Sequence, residues 1–113
     1  MTTITALKNI NDLNAKITIT SNDFLDTNGY SKAGFNIGEE LTYLDLLYGI
    51  ILPSGIDAVN AVINNTLGYE EFINKMNDFA KELKMKDTHF SNPVGKDDLE
   101  NYSSAYDISL LLR

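Results

Sequence analysis

Between Thr42 and Asn60 an apolar stretch with helical spacing runs into Pro53-Ser54-Gly55, and a second apolar stretch leaves it. Proline has no N–H to give to a helix and pushes the residue before it out of helical conformation. The first helix must therefore end near residue 52, and a second must start beyond the break. This pattern predicts two helices meeting at a corner that carries a hydroxyl, where side chains can point into a cleft.

The rest of the chain builds helices around that corner. Residues 2–9 are expected to be helical, with Ile4, Leu7 and Ala6 on one side and no N-cap. Lys16-Ile17-Thr18-Ile19-Thr20 alternates polar and β-branched apolar residues and reads as a short strand. Ser21-Asn22-Asp23 suits a cap on a single turn around Phe24 and Leu25. Residues 26–40, rich in Asn, Gly, Ser and Glu, are expected to form an irregular surface loop holding Tyr30 and Phe35.

Thr42 with Asp45 three residues on makes a capping box for a helix carrying Leu44, Leu47 and Tyr48 through to Gly49. Ala58, Val59, Val62 and Ile63 mark the helix after the corner, ending near Asn64-Asn65. The clearest periodicity covers about residues 70–84, where Phe72, Met76, Phe79, Ala80 and Leu83 share one face and Glu71 and Lys75 pair on the other. Residues 87–102 read as irregular. Ser104 with Asp107 looks like a capping box opening a last helix at Ile108 and Leu110–Leu112. Both chain ends are expected to be cuts through helices.

Composition narrows the function. The net charge is −7 and no run of Lys or Arg exists, which argues against nucleic acid and against an anionic membrane surface. There is no cysteine, so disulfides, thiolate metal sites and a Cys nucleophile are excluded. The longest wholly apolar run is Ile50-Ile51-Leu52, far short of a membrane span. The first residues lack the basic start and apolar core of a signal peptide.

Several ordered stretches resemble one family. Ala33-Gly34, Gly38-Glu39, Leu41-Thr42, Asp45-Leu46-Leu47-Tyr48-Gly49 and Leu52-Pro53-Ser54-Gly55 stand in the register found in serine-type D-Ala-D-Ala carboxypeptidases, the low-molecular-mass penicillin-binding proteins of peptidase family S11. Phe72, Met76-Asn77, Ala80, Leu83, Met85, Thr88-His89-Phe90, Asn92-Pro93, Gly95 and Tyr102-Ser103-Ser104-Ala105 continue the match. Lys84 stands where that family usually has Gly. The resemblance spans nearly the whole chain. It implies a mainly α structure with a short β element over 1–113: one partial domain, the helical subdomain of the penicillin-binding protein/β-lactamase-like fold.

The family's acyl transfer uses three elements: Ser-x-x-Lys, Ser-x-Asn and Lys-Thr-Gly. Here Met1-Thr2 looks like the Met-Thr that follows the first, so Ser-x-x-Lys is expected just before residue 1. Ser54-Gly55-Ile56 is the second, with Ser54 as the auxiliary hydroxyl, Gly55 matched, and Ile56 at the substrate-binding Asn position. No Lys-Thr-Gly occurs. The resemblance implies that the parent protein trims the terminal D-alanine of peptidoglycan stem peptides, is acylated by β-lactams, works outside the cytoplasm and needs neither metal nor organic cofactor. These residues alone are expected to be inactive. The other reading is a non-catalytic peptidoglycan-binding module; a β-lactamase relative fits the residues 88–107 less well.

Each candidate has a plainer reading. Ser54 could be only a helix N-cap, and Asp57 a first-turn carboxylate that favours the helix dipole. His89, the lone histidine, is expected to be structural. Glu39-Glu40 and Asp97-Asp98 belong to solvated surface. Tyr30 and Phe35 could contact substrate at the cleft rim. A helix meant to pack on a missing sheet would leave an apolar face exposed, which predicts self-association or marginal stability.

Overall fold

A computed structural model describes all residues 1–113. The helices are α1 (Thr2–Asn9), α2 (Tyr43–Ile51), α3 (Ile56–Asn65), α4 (Tyr69–Glu82) and α5 (Ala105–Leu111). Two short strands, β1 (Lys16–Thr18) and β2 (Glu40–Thr42), pair antiparallel with Ile17 opposite Leu41. The chain is thus mainly helical, as expected. No helix is long and apolar enough to cross a membrane.

The core lies where α2, α3 and α4 converge with β1. Leu46, Val62, Ile63, Phe72 and Met76 are all buried there. The stripe on α4 behaves as its spacing predicts: Phe72, Met76 and Ala80 are buried, and Glu71 and Lys75 approach to 3.9 Å on the outer side. Asn77 uses its amide twice, donating to the Phe90 carbonyl at 2.9 Å and accepting the Phe90 N–H at 2.8 Å. That clamp fastens the irregular segment after α4 to the helix.

Helix α1 corrects the expected face. Thr5 and Ala6 are buried, whereas Leu7 is 46% exposed. The small side chains let α1 approach α4 closely, and the Lys8 ammonium lies 3.7 Å from the centre of the Phe79 ring. In eight residues, the spacing of Ile4 and Leu7 is too short a record to fix a face against such packing.

The loop of residues 26–40 is shorter than expected, because its end becomes β2. Ile19 extends the ladder beyond β1, donating to Glu39 at 2.9 Å and accepting from Gly38 at 2.8 Å. The single turn after β1 covers Ser21–Phe24 and is opened by Thr20 rather than Ser21, with the Thr20 N–H on the Asp23 carboxylate at 2.8 Å.

Thr42 ends β2 and caps α2: its hydroxyl accepts the Asp45 N–H at 3.1 Å, and the Asp45 carboxylate accepts the Thr42 N–H at 3.1 Å. Helix α2 runs past Gly49 to Ile51. Gly49 is there for space, since a Cβ would sit 3.0 Å from the Phe35 ring and 3.1 Å from the Ala58 methyl.

Ser104 caps α5 through the Asp107 N–H at 3.1 Å. The expected box does not close, because the Asp107 carboxylate turns to the Asp87 N–H at 2.8 Å and the Thr88 hydroxyl at 2.7 Å. Tyr106 and Ile108 of α5 and Leu112 just beyond it stay exposed, as do Ile51 and Leu52 at the end of α2.

Candidate functional site

The corner between α2 and α3 is a tightly interlocked turn. The Gly55 N–H donates to the Gly49 carbonyl at 2.9 Å and the Ile56 N–H to the Ser31 carbonyl at 2.9 Å. A Cβ on Gly55 would fall 2.7 Å from the Gly49 oxygen and 2.8 Å from the Ala33 nitrogen, both backbone atoms that cannot yield. Only glycine fits there.

Ser54 has φ +55°, a left-handed conformation that costs an L-residue about 1–2 kcal/mol. It is exposed, and its hydroxyl caps nothing: the N-cap of α3 is Gly55, which has no side chain to offer. The reading of Ser54 as a helix cap is therefore wrong. The strained backbone presents the hydroxyl to an open groove of ≈ 400 Å³, shared with Thr2, Tyr30, Ile56, Pro93 and Gly95 among others. Strain of this kind gathers at functional sites.

Ile56 is 7% exposed, with its side chain at the groove wall and its N–H already taken by Ser31. Thr2, at the start of α1, donates its hydroxyl to the Pro93 carbonyl at 2.6 Å. That bond brings the N-terminus of the chain to the same groove as Ser54. Burial of the Met1 amino group pushes its pKa below the usual value.

Asp57 is the residue that sequence reasoning undervalued. It is fully buried, and its carboxylate accepts the N–H groups of Ala33 (2.7 Å), Gly34 (3.1 Å), Phe35 (3.4 Å) and Ala58 (3.0 Å). It thus pins residues 33–35 across the corner, in addition to lying in the first turn of α3. No local signal marks this role, since three of its four donors lie 22 to 24 positions away. Phe35 consequently packs on Gly49 instead of reaching the rim, whereas Tyr30 lines the groove.

Asn92 shapes the opposite wall. Its Oδ1 accepts the N–H groups of Val94 (3.2 Å) and Lys96 (2.9 Å), and its Nδ2 donates to the Lys96 carbonyl at 2.9 Å. A second, larger concavity of ≈ 690 Å³ adjoins the groove and shares Tyr30, Ile56 and Val94 with it. His89 lies elsewhere, bridged to Tyr102 through both backbone groups and stacked on its ring. No three His, Cys, Asp or Glu side chains converge in a way that could hold a metal.

No lysine, histidine or carboxylate lines the Ser54 groove. A serine hydroxyl without such a partner is a poor nucleophile at neutral pH. The groove brings the hydroxyl-bearing residues Thr2, Tyr30, Ser31 and Ser54 beside the apolar Ile50, Ile56, Val59 and Val94.

The model of the D-alanyl-D-alanine carboxypeptidase family matches residues 1–113. The D-alanyl-D-alanine carboxypeptidase DacF of Bacillus subtilis is 43% identical over 86 residues, 75% of this chain and 22% of that protein. A Streptomyces D-alanyl-D-alanine carboxypeptidase is 36% identical over 110 residues, 89% of this chain and 38% of that protein. The crystal structure of a Streptomyces DD-transpeptidase superposes with a TM-score of 0.87 at 34% identity, covering 97% of this chain and 46% of that one. The chain thus spans less than half the length of each of these proteins.

Proposed function

Because the chain belongs to the D-alanyl-D-alanine carboxypeptidase family S11, we propose that residues 1–113 are one partial domain of a serine-type D-Ala-D-Ala carboxypeptidase, its helical subdomain. Ser54 is the auxiliary hydroxyl of its Ser-x-Asn motif, with Gly55 and Ile56 completing the triplet. The observation that carries this reading is Ser54 itself: a strained, uncapped, exposed serine on a turn that only Gly55 permits, facing the groove that Thr2 also lines.

In the complete protein, a serine from Ser-x-x-Lys preceding Thr2 attacks the carbonyl between the two terminal D-alanines of a stem peptide. The peptide C–N bond breaks, an ester forms on the serine, and D-alanine leaves after its nitrogen takes up a proton that the Ser54 hydroxyl relays. Water then hydrolyses the ester. A β-lactam acylates the same serine and opens its ring. The substrate places this work outside the cytoplasm, at the cell wall.

Ile56 has no side-chain group to hold the substrate amide, a contact worth about 1–3 kcal/mol when buried. Its loss slows turnover by roughly tenfold to a hundredfold if the contact acts in the transition state. The chain alone has no nucleophile and base pair, so by itself it is inactive. The apolar side chains exposed on α5 and at the end of α2 make self-association of the isolated chain the expected behaviour.

Ile56 also favours a second reading, a module that binds muropeptide without turnover. Release of D-alanine from a pentapeptide by the full-length protein separates the two. Under the first reading, Ser54→Ala lowers kcat/KM by about a hundredfold. Unchanged kcat/KM in Ser54→Ala refutes the auxiliary role; binding without any D-alanine release establishes the second reading.

A further inference from the structure

Asn28-Gly29 is the one Asn-Gly pair in the chain, and it stands at the tip of the turn that follows the helical turn Ser21–Phe24. The Tyr30 N–H closes that turn, donating to the Thr27 carbonyl at 3.2 Å. Both of its flanks are anchored. The buried Thr27 donates its hydroxyl to the Phe24 carbonyl at 2.8 Å, and the Ser31 carbonyl accepts the Ile56 N–H at 2.9 Å. The tip itself is free. Asn28 and Gly29 are exposed, the Asn28 side chain makes no hydrogen bond, and the Gly29 N–H donates to no group of the protein.

Gly29 sits at φ +83°, and nothing lies within 4 Å of where a Cβ would be. With no side chain and no neighbour, its nitrogen is open to approach, and its backbone rotates at little cost. No other asparagine combines these features. Asn64, Asn77 and Asn92 have their amides tied in hydrogen bonds. The exposed Asn14, Asn22 and Asn36 are each followed by a residue whose Cβ crowds the backbone nitrogen.

We propose that Asn28 is a modification site that deamidates spontaneously through a cyclic imide. The Gly29 nitrogen gives its proton to solvent base and bonds to Cγ of Asn28. The Cγ–Nδ2 bond breaks, Nδ2 takes up a proton, and ammonia leaves. Water then opens the imide at either carbonyl. Breaking the new bond at Cγ leaves aspartate; breaking the bond at the main-chain carbonyl leaves isoaspartate, whose backbone runs through Cβ. Water is the only co-reactant, and nothing is oxidised or reduced. Either product adds a negative charge to a chain that already carries −7, on the concavity that Asn28 lines with Asp26. Isoaspartate also lengthens the backbone inside the turn, so the Tyr30 bond that closes it is lost, and Tyr30 is a residue that lines the Ser54 groove. The reaction is a property of the turn and holds whatever the role of Ser54.

The test ages the folded 113-residue chain at mildly acidic and mildly alkaline pH in water enriched in heavy oxygen, then reads intact and peptide masses. Asn28 should convert faster than any other asparagine and take up heavy oxygen. The conversion should quicken at the alkaline pH, where solvent base is more abundant. Electron-transfer fragmentation, which distinguishes the two products, should find both aspartate and isoaspartate at position 28. Asn28→Gln should abolish the change there, since the longer side chain must close a larger ring; the position is exposed, and circular dichroism checks that the variant stays folded. In the isoaspartate form, hydrogen exchange at the Tyr30 amide should speed up.

An Asn28 that stays intact while another asparagine converts would overturn the assignment. So would an Asn28 that converts in the urea-unfolded chain and not in the folded one, because the folded turn would then be holding the pair apart. Aspartate without isoaspartate would rule out the imide route. A Tyr30 amide as well protected in the isoaspartate form as in the parent would overturn the effect on the turn.

Discussion

Asp57 offers the sharpest test of how the corner is held. Asp57→Asn keeps the volume and one acceptor oxygen but puts an NH2 where a second oxygen now sits. In the favourable orientation the remaining oxygen keeps Ala33 (2.7 Å) and Ala58 (3.0 Å), so Gly34 (3.1 Å) and Phe35 (3.4 Å) face a donor. Losing an acceptor costs a buried donor about 1–3 kcal/mol, and bonds to a carboxylate are at the strong end. Gly34 is exposed and can recover part of this from water. The 3.4 Å bond of Phe35 is weak at the start. The expected loss is therefore about 2–3 kcal/mol, within the 5–15 kcal/mol typical of a domain. Urea denaturation followed by far-UV circular dichroism measures it, and hydrogen exchange should show the amides of residues 33–35 opening before the helices. A loss under about 0.5 kcal/mol, with those amides still protected, would refute the reasoning that Asp57 holds the strap on the corner.

The end of α4 gives a prediction of opposite sign. Lys84 sits at φ +62°, with the Lys84 N–H on the Lys81 carbonyl at 3.0 Å and the Met85 N–H on the Ala80 carbonyl at 2.9 Å, the Schellman pattern that favours glycine. Lys84→Gly should stabilise the chain by about 1 kcal/mol and raise Tm by about 4 °C in a thermal melt; a lower Tm would contradict this. Ser54→Gly should likewise gain about 0.5–1 kcal/mol by relieving the left-handed serine, so denaturation should show a more stable protein even though the proposed auxiliary hydroxyl is gone. Burial raises the pKa of Tyr43 and, together with the Asp26 charge, that of Tyr69. Their raised folded values mean that this contribution is intact below pH 10 and is lost as pH climbs through the folded pKa values. Absorbance at alkaline pH should show these two phenols ionising above the ordinary tyrosine value, with Asp26→Asn moving Tyr69 back; ionisation of both at the ordinary value would contradict the assignment.

Features that depend on neighbours in sequence were legible before the fold was known. The Thr42–Asp45 box, the Ser104 cap, the α4 stripe and the break at Pro53 all use contacts within one or two helical turns. The misread features depend on distant partners. The Thr5 and Ala6 face of α1 is chosen by α4, more than sixty residues away, and β2 exists because Ile17 and Ile19 offer it a ladder. Asp57 looked like any first-turn carboxylate until Ala33, Gly34 and Phe35 arrived at it. Ser54 was identified by family likeness, but its strain and its freedom from capping are backbone facts that no pattern of residue types encodes. Asp26 and Lys96 gave no signal at all, being ordinary loop charges until the fold set them around one pocket.

In the proposed function these residues supply the middle part of a three-part site and no nucleophile. Incubating the purified 113-residue chain with a fluorescent penicillin, followed by denaturing electrophoresis and intact-mass measurement, tests it most directly. No covalent adduct should form, while a full-length protein carrying Ser-x-x-Lys and Lys-Thr-Gly is labelled at the serine of the former. An adduct approaching one per chain, on Ser54 or any other residue, would contradict it.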